Sequence, residues 1–96
     1  MKTYQKRPGV LLLNVCDEDI LAATRKARDY CPYVTHLNAS AAVFWRLLDQ
    51  ENTLTGLTRL AAKKLQKEEK ALLFPVMTFL GKMSQNGYLI VKDEEE

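Results

Sequence analysis

Length, composition and charge already exclude several classes of protein. The chain has 96 residues, enough for a single domain, and 47% of them are hydrophobic and 27% charged, as in ordinary globular proteins. A formal net charge of +2 is too small to indicate a strongly basic nucleic-acid-binding surface. No apolar run approaches the roughly 18 residues of a membrane span, and the start MKTYQKRPG lacks the apolar stretch of a signal peptide. We therefore expect a cytoplasmic protein with no membrane partner.

Residues that could carry chemistry are few and scattered. Cys16, Cys31 and His36 are the only cysteine and histidine side chains, whereas a structural zinc site needs four such ligands. The sequence contains no Gly-rich phosphate loop, no GxSxG and no HExxH motif. A Cys–His nucleophilic pair has only its residue types in its favour. We expect no enzyme, no catalytic residue, no metal and no cofactor, and we interpret the cysteines as half-buried thiols in strands.

The first third of the chain predicts three short antiparallel strands. Pro8-Gly9 excludes a helix before the apolar, β-compatible segment Val10–Cys16. The next segment, DEDILAATRKARDY, fits either a helix or a short strand followed by a charged turn. The third strand, CPYVTHL, is β-branched and aromatic, and the proline at its start suits an edge strand or the first residue of a strand.

From Asn38 onward the apolar period becomes helical. Asn38 is a good N-cap for a first helix whose apolar stripe includes Phe44 and Trp45. Thr53 or Thr55 caps a second, amphipathic helix. A third apolar helix ends near Asn86-Gly87, where glycine supplies a left-handed cap. YLIV suggests a short final strand. We therefore divide the chain into one domain, 1–92, and an acidic tail, 93–96.

The third helix has an unusually wide apolar arc. At 100° per residue its apolar side chains spread over roughly 160°, whereas packing on one core face needs a stripe of roughly 100°. These residues are Leu72, Leu73, Val76, Met77, Phe79, Leu80 and Met83. Either the helix is central, or part of the arc lines a groove for an apolar ligand or peptide. Pro75 predicts a kink, or a helix that starts only near this residue.

The order and spacing of these segments resemble the PqqD-like family. The stretch HLNASAAVFWRLLDQENTLTGLTRLAAKKL has the family's Leu-Asn junction, Trp, Leu-Leu, acidic turn and Thr before a second helix. Val76, Phe79-Leu80, Met83, Gly87 and Leu89 fall at the spacing V-x-x-F-L-x-x-L-x-x-x-G-x-L, with Met83 in place of Leu. The similarity covers about four fifths of the chain. It departs from the pattern at Pro75, where the family often has an acidic residue.

The resemblance implies a fold and a function. The fold is α+β, a winged helix-turn-helix with an N-terminal three-stranded antiparallel wing followed by three helices. The function is that of a recognition element for ribosomally made, post-translationally modified peptides (RiPPs) in natural-product biosynthesis. Such a module acts as a noncatalytic peptide chaperone. It binds the leader of a precursor peptide as an added strand on the third wing strand, against the third helix. It then presents the peptide to a modifying enzyme, often a radical SAM enzyme.

Carried over by position, the resemblance also implies the binding residues. The added strand would pair with Tyr33–Leu37, and Lys70 would pair with an acidic leader residue. Leu37 itself we expect in the core and His36 on the exposed side of the strand. The peptide-binding residues expected in this way are Tyr33, Val34, Thr35, His36, Lys70, Leu72, Leu73, Val76 and Met77.

Two other functions fit parts of the sequence. A winged-helix DNA-binding regulator would use the basic residues at the end of helix 2, which are Arg59, Lys63, Lys64, Lys67 and Lys70. Glu68 and Glu69 interrupt that run, and the third helix has Phe74, Val76 and Met77 where base-reading residues would be wanted. A homodimeric adaptor would pair the exposed edge strand with a second copy. The sequence leaves open whether the protein is a monomer or a homodimer.

Overall fold

The protein consists of two small antiparallel sheets and three helices. A computed structural model describes residues 1–31 and 34–93. Its strands are β1 (Lys2–Lys6), β2 (Val10–Val15), β3 (Glu18–Ala23), β4 (Val34–Leu37) and β5 (Leu89–Asp93). Its helices are α1 (Ala39–Leu47), α2 (Leu54–Leu65) and α3 (Glu69–Gln85), with a short 3₁₀ helix at Ala27–Asp29. The predicted α+β class is therefore confirmed.

The larger sheet has the strand order β2-β3-β4. The ambiguous segment after β2 forms a strand because Leu21 and Ala23 alternate inward, with 0% and 6% of their surface exposed. Cys16 and Asp17 make the turn between β2 and β3 with φ of 52° and 64°. Two successive positive φ angles are those of a two-residue type I′ hairpin turn, which holds the strands in register.

The smaller sheet joins the two ends of the chain. β1 pairs with β5 antiparallel, with Tyr4 opposite Val91. On its other side Tyr4 exchanges two backbone hydrogen bonds with Asn52, of 2.7 and 3.0 Å. The predicted order, a three-stranded wing followed by three helices, is not confirmed, because β1 comes first and its partner comes last. β1 was missed because KTYQK shows no apolar alternation.

The predicted helix starts are confirmed by their caps. The Asn38 side-chain oxygen accepts a hydrogen bond from the Ala41 amide at 2.8 Å, and the Thr53 hydroxyl accepts one from the Gly56 amide at 3.0 Å. Each bond satisfies an amide of the first turn that has no partner within its helix. Asn38 lies directly after β4, so the cap also fixes where the chain turns from strand to helix.

α3 ends in a Schellman motif and runs through a proline. The Tyr88 amide donates to the Met83 carbonyl at 2.9 Å, and Gly87 has a φ of 86°. Glycine allows this left-handed conformation without strain, so the predicted cap is confirmed. Pro75 lies inside the helix. Of the two alternatives predicted for Pro75, a kink or a position in the first turn, the second is therefore wrong.

The core lies between the helices and the inner face of the larger sheet. Trp45 is 2% exposed and fills the core, as predicted, and Phe44 packs edge-to-face on Phe79 with ring centroids 5.6 Å apart. The two cysteines differ from the prediction of half-buried thiols in strands. Cys16 is exposed in the hairpin turn, and Cys31 is buried, with its thiol donating to the Ala27 carbonyl at 3.1 Å.

Two further predictions concern the ends and the helices of the chain. Asp93, expected in the acidic tail, belongs to β5, and the rest of that tail, 94–96, lies outside the described residues. None of the helices formed by the described residues is long and apolar enough to cross a membrane.

Candidate functional site

A groove of about 370 Å³ runs between β4, the start of α1 and the outer side of α3. Its floor contains the buried rings of Phe44 and Phe79, and its rim includes His36, Phe74 and Lys82. The groove lies where α1 begins after β4, and residues of α3 complete its lining. An apolar floor with a few polar groups on the rim is the usual character of a ligand site.

β4 is an end strand of its sheet, and alternate backbone groups point away from β3. The Thr24 amide donates to the Gly9 carbonyl at 2.8 Å, which fixes the even-numbered residues of β3 as those bonded to β2. The odd-numbered residues of β3 are then bonded to β4, where Leu21 lies opposite Thr35. Consequently the N–H and C=O groups of Val34 and His36 face the open side. No described residue pairs with them.

The inner face of β4 is fixed to the core. The Thr35 hydroxyl shares a hydrogen bond with the hydroxyl of Tyr88, whose ring is fully buried. Burial raises the pKa of Tyr88, against a smaller lowering by its bond to Thr35. The phenol therefore stays neutral at physiological pH. This bond holds β4 in place while its outer edge remains accessible.

The outer side of β4 and of α3 carries exposed side chains. Phe74 is 70% exposed, although it is a large aromatic residue. His36 is also exposed, and its Nδ1 atom lies 3.3 Å from the carboxylate of Glu18. Lys82, one turn beyond Thr78, makes no ion pair with any described acidic residue. Among the described residues, the rim thus offers the large apolar side chain of Phe74 and the positive charge of Lys82.

The groups present at the groove and in the core behind it determine which interactions the site can make. Within residues 1–31 and 34–93, no group of three or more His, Cys, Asp or Glu side chains is placed to hold a metal ion. The buried Cys31 thiol has its pKa raised by desolvation, which disfavours the reactive thiolate. The arrangement can supply backbone hydrogen bonds, an apolar surface and a cation.

The structure brings some of the expected peptide-binding residues to this groove and places others elsewhere. His36 lies on the rim of the groove. Val34 and Thr35 belong to β4, the same strand as His36. Lys70 and Leu73 line a separate shallow depression against α2, beside Thr55 and Thr58. The other expected residues on α3 are Leu72 and Val76, both buried, and Met77, which is 47% exposed. Tyr33 lies outside the described residues.

Sequence reasoning missed the part of α3 that faces β4. Phe74, Thr78 and Lys82 line the groove but were not among the expected residues. A signal for them existed: Phe74 is a large apolar residue outside the 160° arc, so it could not belong to the core. The wide arc instead divides between five buried side chains and the exposed Leu73 and Met77.

Comparisons of the chain with protein-family models, with curated proteins and with solved structures gave no match. The resemblance to PqqD-like proteins therefore stays an expectation from the sequence pattern.

Proposed function

We propose that the protein is a noncatalytic peptide-binding module that takes up an extended peptide as a new strand on β4. The observation that carries this proposal is the open edge of β4 beside an apolar groove. An exposed strand edge supplies backbone hydrogen bonds, and an adjacent groove supplies pockets for alternate side chains. Together they give affinity and sequence preference without any reacting group.

The bound peptide would contact two walls. Its backbone would bond to the N–H and C=O groups of Val34 and His36. Every second side chain would then enter the groove, against Phe74 and above Phe79. Burial of one large apolar side chain contributes about 1.5–3 kcal/mol. We therefore expect a bulky apolar residue to be the main anchor of the peptide.

Charge at the rim favours an acidic residue in the same peptide. Lys82 projects from α3 at the groove and has no described acidic partner. An exposed ion pair contributes at most about 1 kcal/mol, so this contact sets orientation more than affinity. In the sequence-based expectation this role belonged to Lys70, which lies against α2.

The biological setting we propose follows the resemblance to PqqD-like recognition elements. The sheet β2-β3-β4 followed by α1, α2 and α3 supports a winged helix-turn-helix arrangement, with β1 and β5 added at its ends. The peptide would be the leader of a ribosomally made precursor. The partner would be an enzyme that modifies the precursor, such as a radical SAM enzyme, and would supply the chemistry that the groove lacks.

The test is a titration with leader peptides from precursors encoded beside this protein. Fluorescence polarisation of a labelled peptide should give a dissociation constant in the micromolar range or tighter, about −8 kcal/mol. In NMR spectra the amides of Val34 and His36 should shift most. If no such peptide binds more tightly than about 1 mM, the proposal fails.

A further inference from the structure

The opposite edge of the larger sheet, β2, is also open. The odd-numbered residues of β2 bond to β3, as the bond from the Thr24 amide to the Gly9 carbonyl establishes. The N–H and C=O groups of Leu12 and Asn14 therefore face away from the sheet. No described residue pairs with that edge. β2 thus presents a second set of unpaired backbone groups, on the side of the sheet away from the groove.

β2 lacks the features that usually protect an edge strand. Natural edges are protected by charged residues, prolines, bulges or a covering element. The segment VLLLNV has no charge and no proline, and its register with β3 is continuous. On its outer face Leu11, Leu13 and Val15 are 50%, 40% and 50% exposed. This strand therefore favours pairing with another strand.

Charges at the two ends of the β2–β3 hairpin are opposite in sign. The end at the turn is acidic, with Asp17, Glu18 and Asp19, against one basic side chain, Arg46, which pairs with Asp19 at 3.4 Å. The other end is basic, with Arg7, Arg25 and Lys26, against one acidic side chain, Asp29. Two such hairpins side by side in antiparallel orientation place acidic next to basic at both ends. A parallel arrangement would place like charges together.

We propose that β2 pairs with β2 of a second copy of this chain, antiparallel and about a two-fold axis at Leu12. Such an axis is perpendicular to the sheet and keeps the apolar outer faces on the same side. In this register Leu12 exchanges both backbone hydrogen bonds with Leu12 of the partner subunit. Leu11 then lies opposite Leu13 of the partner subunit, so the exposed apolar side chains cover one another.

The dimer is separate from the proposed peptide site. β2 and β4 are the two ends of one sheet, so pairing at β2 leaves the edge of β4 and the groove open. Each dimer would present two peptide sites on a sheet that continues across both copies. Failure of one proposal leaves the other standing, because each is measured by a different experiment.

Sedimentation velocity of the full chain tests the dimer. An interface formed mainly by one strand is smaller than the roughly 1,200–2,000 Å² of standard interfaces. We therefore expect reversible association with a dissociation constant of about 10–100 µM. Asn14→Pro removes an edge N–H and should weaken association at least about tenfold. Asn14→Ala, which keeps that N–H, should associate like the parent. A chain that stays monomeric at about 500 µM, or equal association by both variants, overturns the proposal.

A second pair of variants keeps the test valid if Asn14→Pro does not fold. Leu11→Lys with Leu13→Lys places positive charges opposite one another across the axis and should abolish association. Leu60→Lys, at a 41% exposed position on α2, is the matched control and should leave it unchanged. If the double variant associates like Leu60→Lys, the interface lies elsewhere and the proposal is wrong.

Disulfide trapping tests the register. In a Cys16→Asn background, a Leu11→Cys chain mixed with a Leu13→Cys chain should form a mixed disulfide under mild oxidation. Leu13→Cys alone should cross-link poorly, because an axis at Leu12 keeps the two introduced thiols apart. The axis at Leu12 would be overturned if Leu13→Cys alone cross-links efficiently and the mixture forms no disulfide between Leu11→Cys and Leu13→Cys chains.

Discussion

The two edges of the β2-β3-β4 sheet have different surroundings. β4 has four residues, is fixed to the core through Thr35 and Tyr88, and lies beside a groove formed with α3. β2 has six residues, exposed apolar side chains on its outer face, and opposite charges at the ends of its hairpin. An edge beside a groove selects a partner by side chain, whereas a bare and self-complementary edge selects its own copy. On this basis we propose β4 for the peptide and β2 for the second chain.

The substitution with the largest expected effect destabilises the whole domain and therefore affects the edges of both β2 and β4. Gly87 has a positive φ, and a Cβ on it would overlap the Tyr30 carbonyl oxygen. Gly87→Ala should therefore lower the free energy of unfolding by about 3 kcal/mol, measured by urea denaturation. Gly81→Ala is the control: its Cβ meets no atom within 4 Å, and it should stabilise α3 by up to about 1 kcal/mol. Equal stabilities of the two variants would contradict this account of Gly87.

A second substitution tests the edge of β4 without changing the edge of β2. His36→Pro removes an N–H from the open side of β4 and should weaken peptide binding about 50-fold, or roughly 2 kcal/mol. His36→Ala keeps the N–H and loses only the side-chain contact with Glu18, so it should bind nearly normally. Sedimentation should be the same for both variants. If His36→Pro folds and still binds the peptide as tightly as His36→Ala, the peptide does not pair with β4.

A third comparison asks which side of α3 contacts the peptide. Phe74→Ala should weaken peptide binding about tenfold, roughly 1.4 kcal/mol, because its exposed ring lines the groove. Leu73→Ala is the matched control on the side toward α2 and should change binding less than about twofold. Calorimetry on both variants decides the question. A larger effect of Leu73→Ala would favour the wall expected from the family resemblance.

The smallest expected effect concerns the support beneath β4. Tyr88→Phe removes the partner of the Thr35 hydroxyl and should cost about 1 kcal/mol of stability at neutral pH. Burial raises the pKa of Tyr88 in the folded state. Its contribution is therefore complete below about pH 10, the pKa of an unfolded tyrosine, and is lost as pH rises through the raised value.

Denaturation between about pH 8 and 11 checks this behaviour. The parent should lose stability over that range more steeply than Tyr88→Phe. The buried Cys31 thiol, whose pKa is also raised by burial, adds a loss that begins near pH 9 in both proteins. Parallel curves for the two proteins would exclude Tyr88 as a source of the alkaline loss.

The sequence predicted those features that depend on local patterns. Asn38 and Gly87 marked helix ends because caps are short-range interactions, and Trp45 belonged to a clear 3.6-residue stripe. β1 was missed because its pairing partner lies at the other end of the chain, and its own residues carry no strand signal. A pairing between distant segments leaves little trace in either segment alone.

The groove was predictable only in part for a similar reason. The edge of β4 was indicated by the β-branched YVTHL before a helix cap. The wall on α3 depends on how that helix is rotated against β4, which a 160° apolar arc does not fix. Only the exposed Phe74, outside the arc, distinguished the groove side from the side toward α2.

The pairing of β1 with β5 also bears on how the domain folds. This contact closes a loop that contains nearly the whole chain, at an entropic cost of about 4 kcal/mol for a loop of this length. The hairpin β2–β3 and the helix pair α2–α3 close much shorter loops and can form first. Contacts of such high sequence separation slow folding. In pulse-labelling hydrogen exchange, the amides of β1 and β5 should therefore gain protection last.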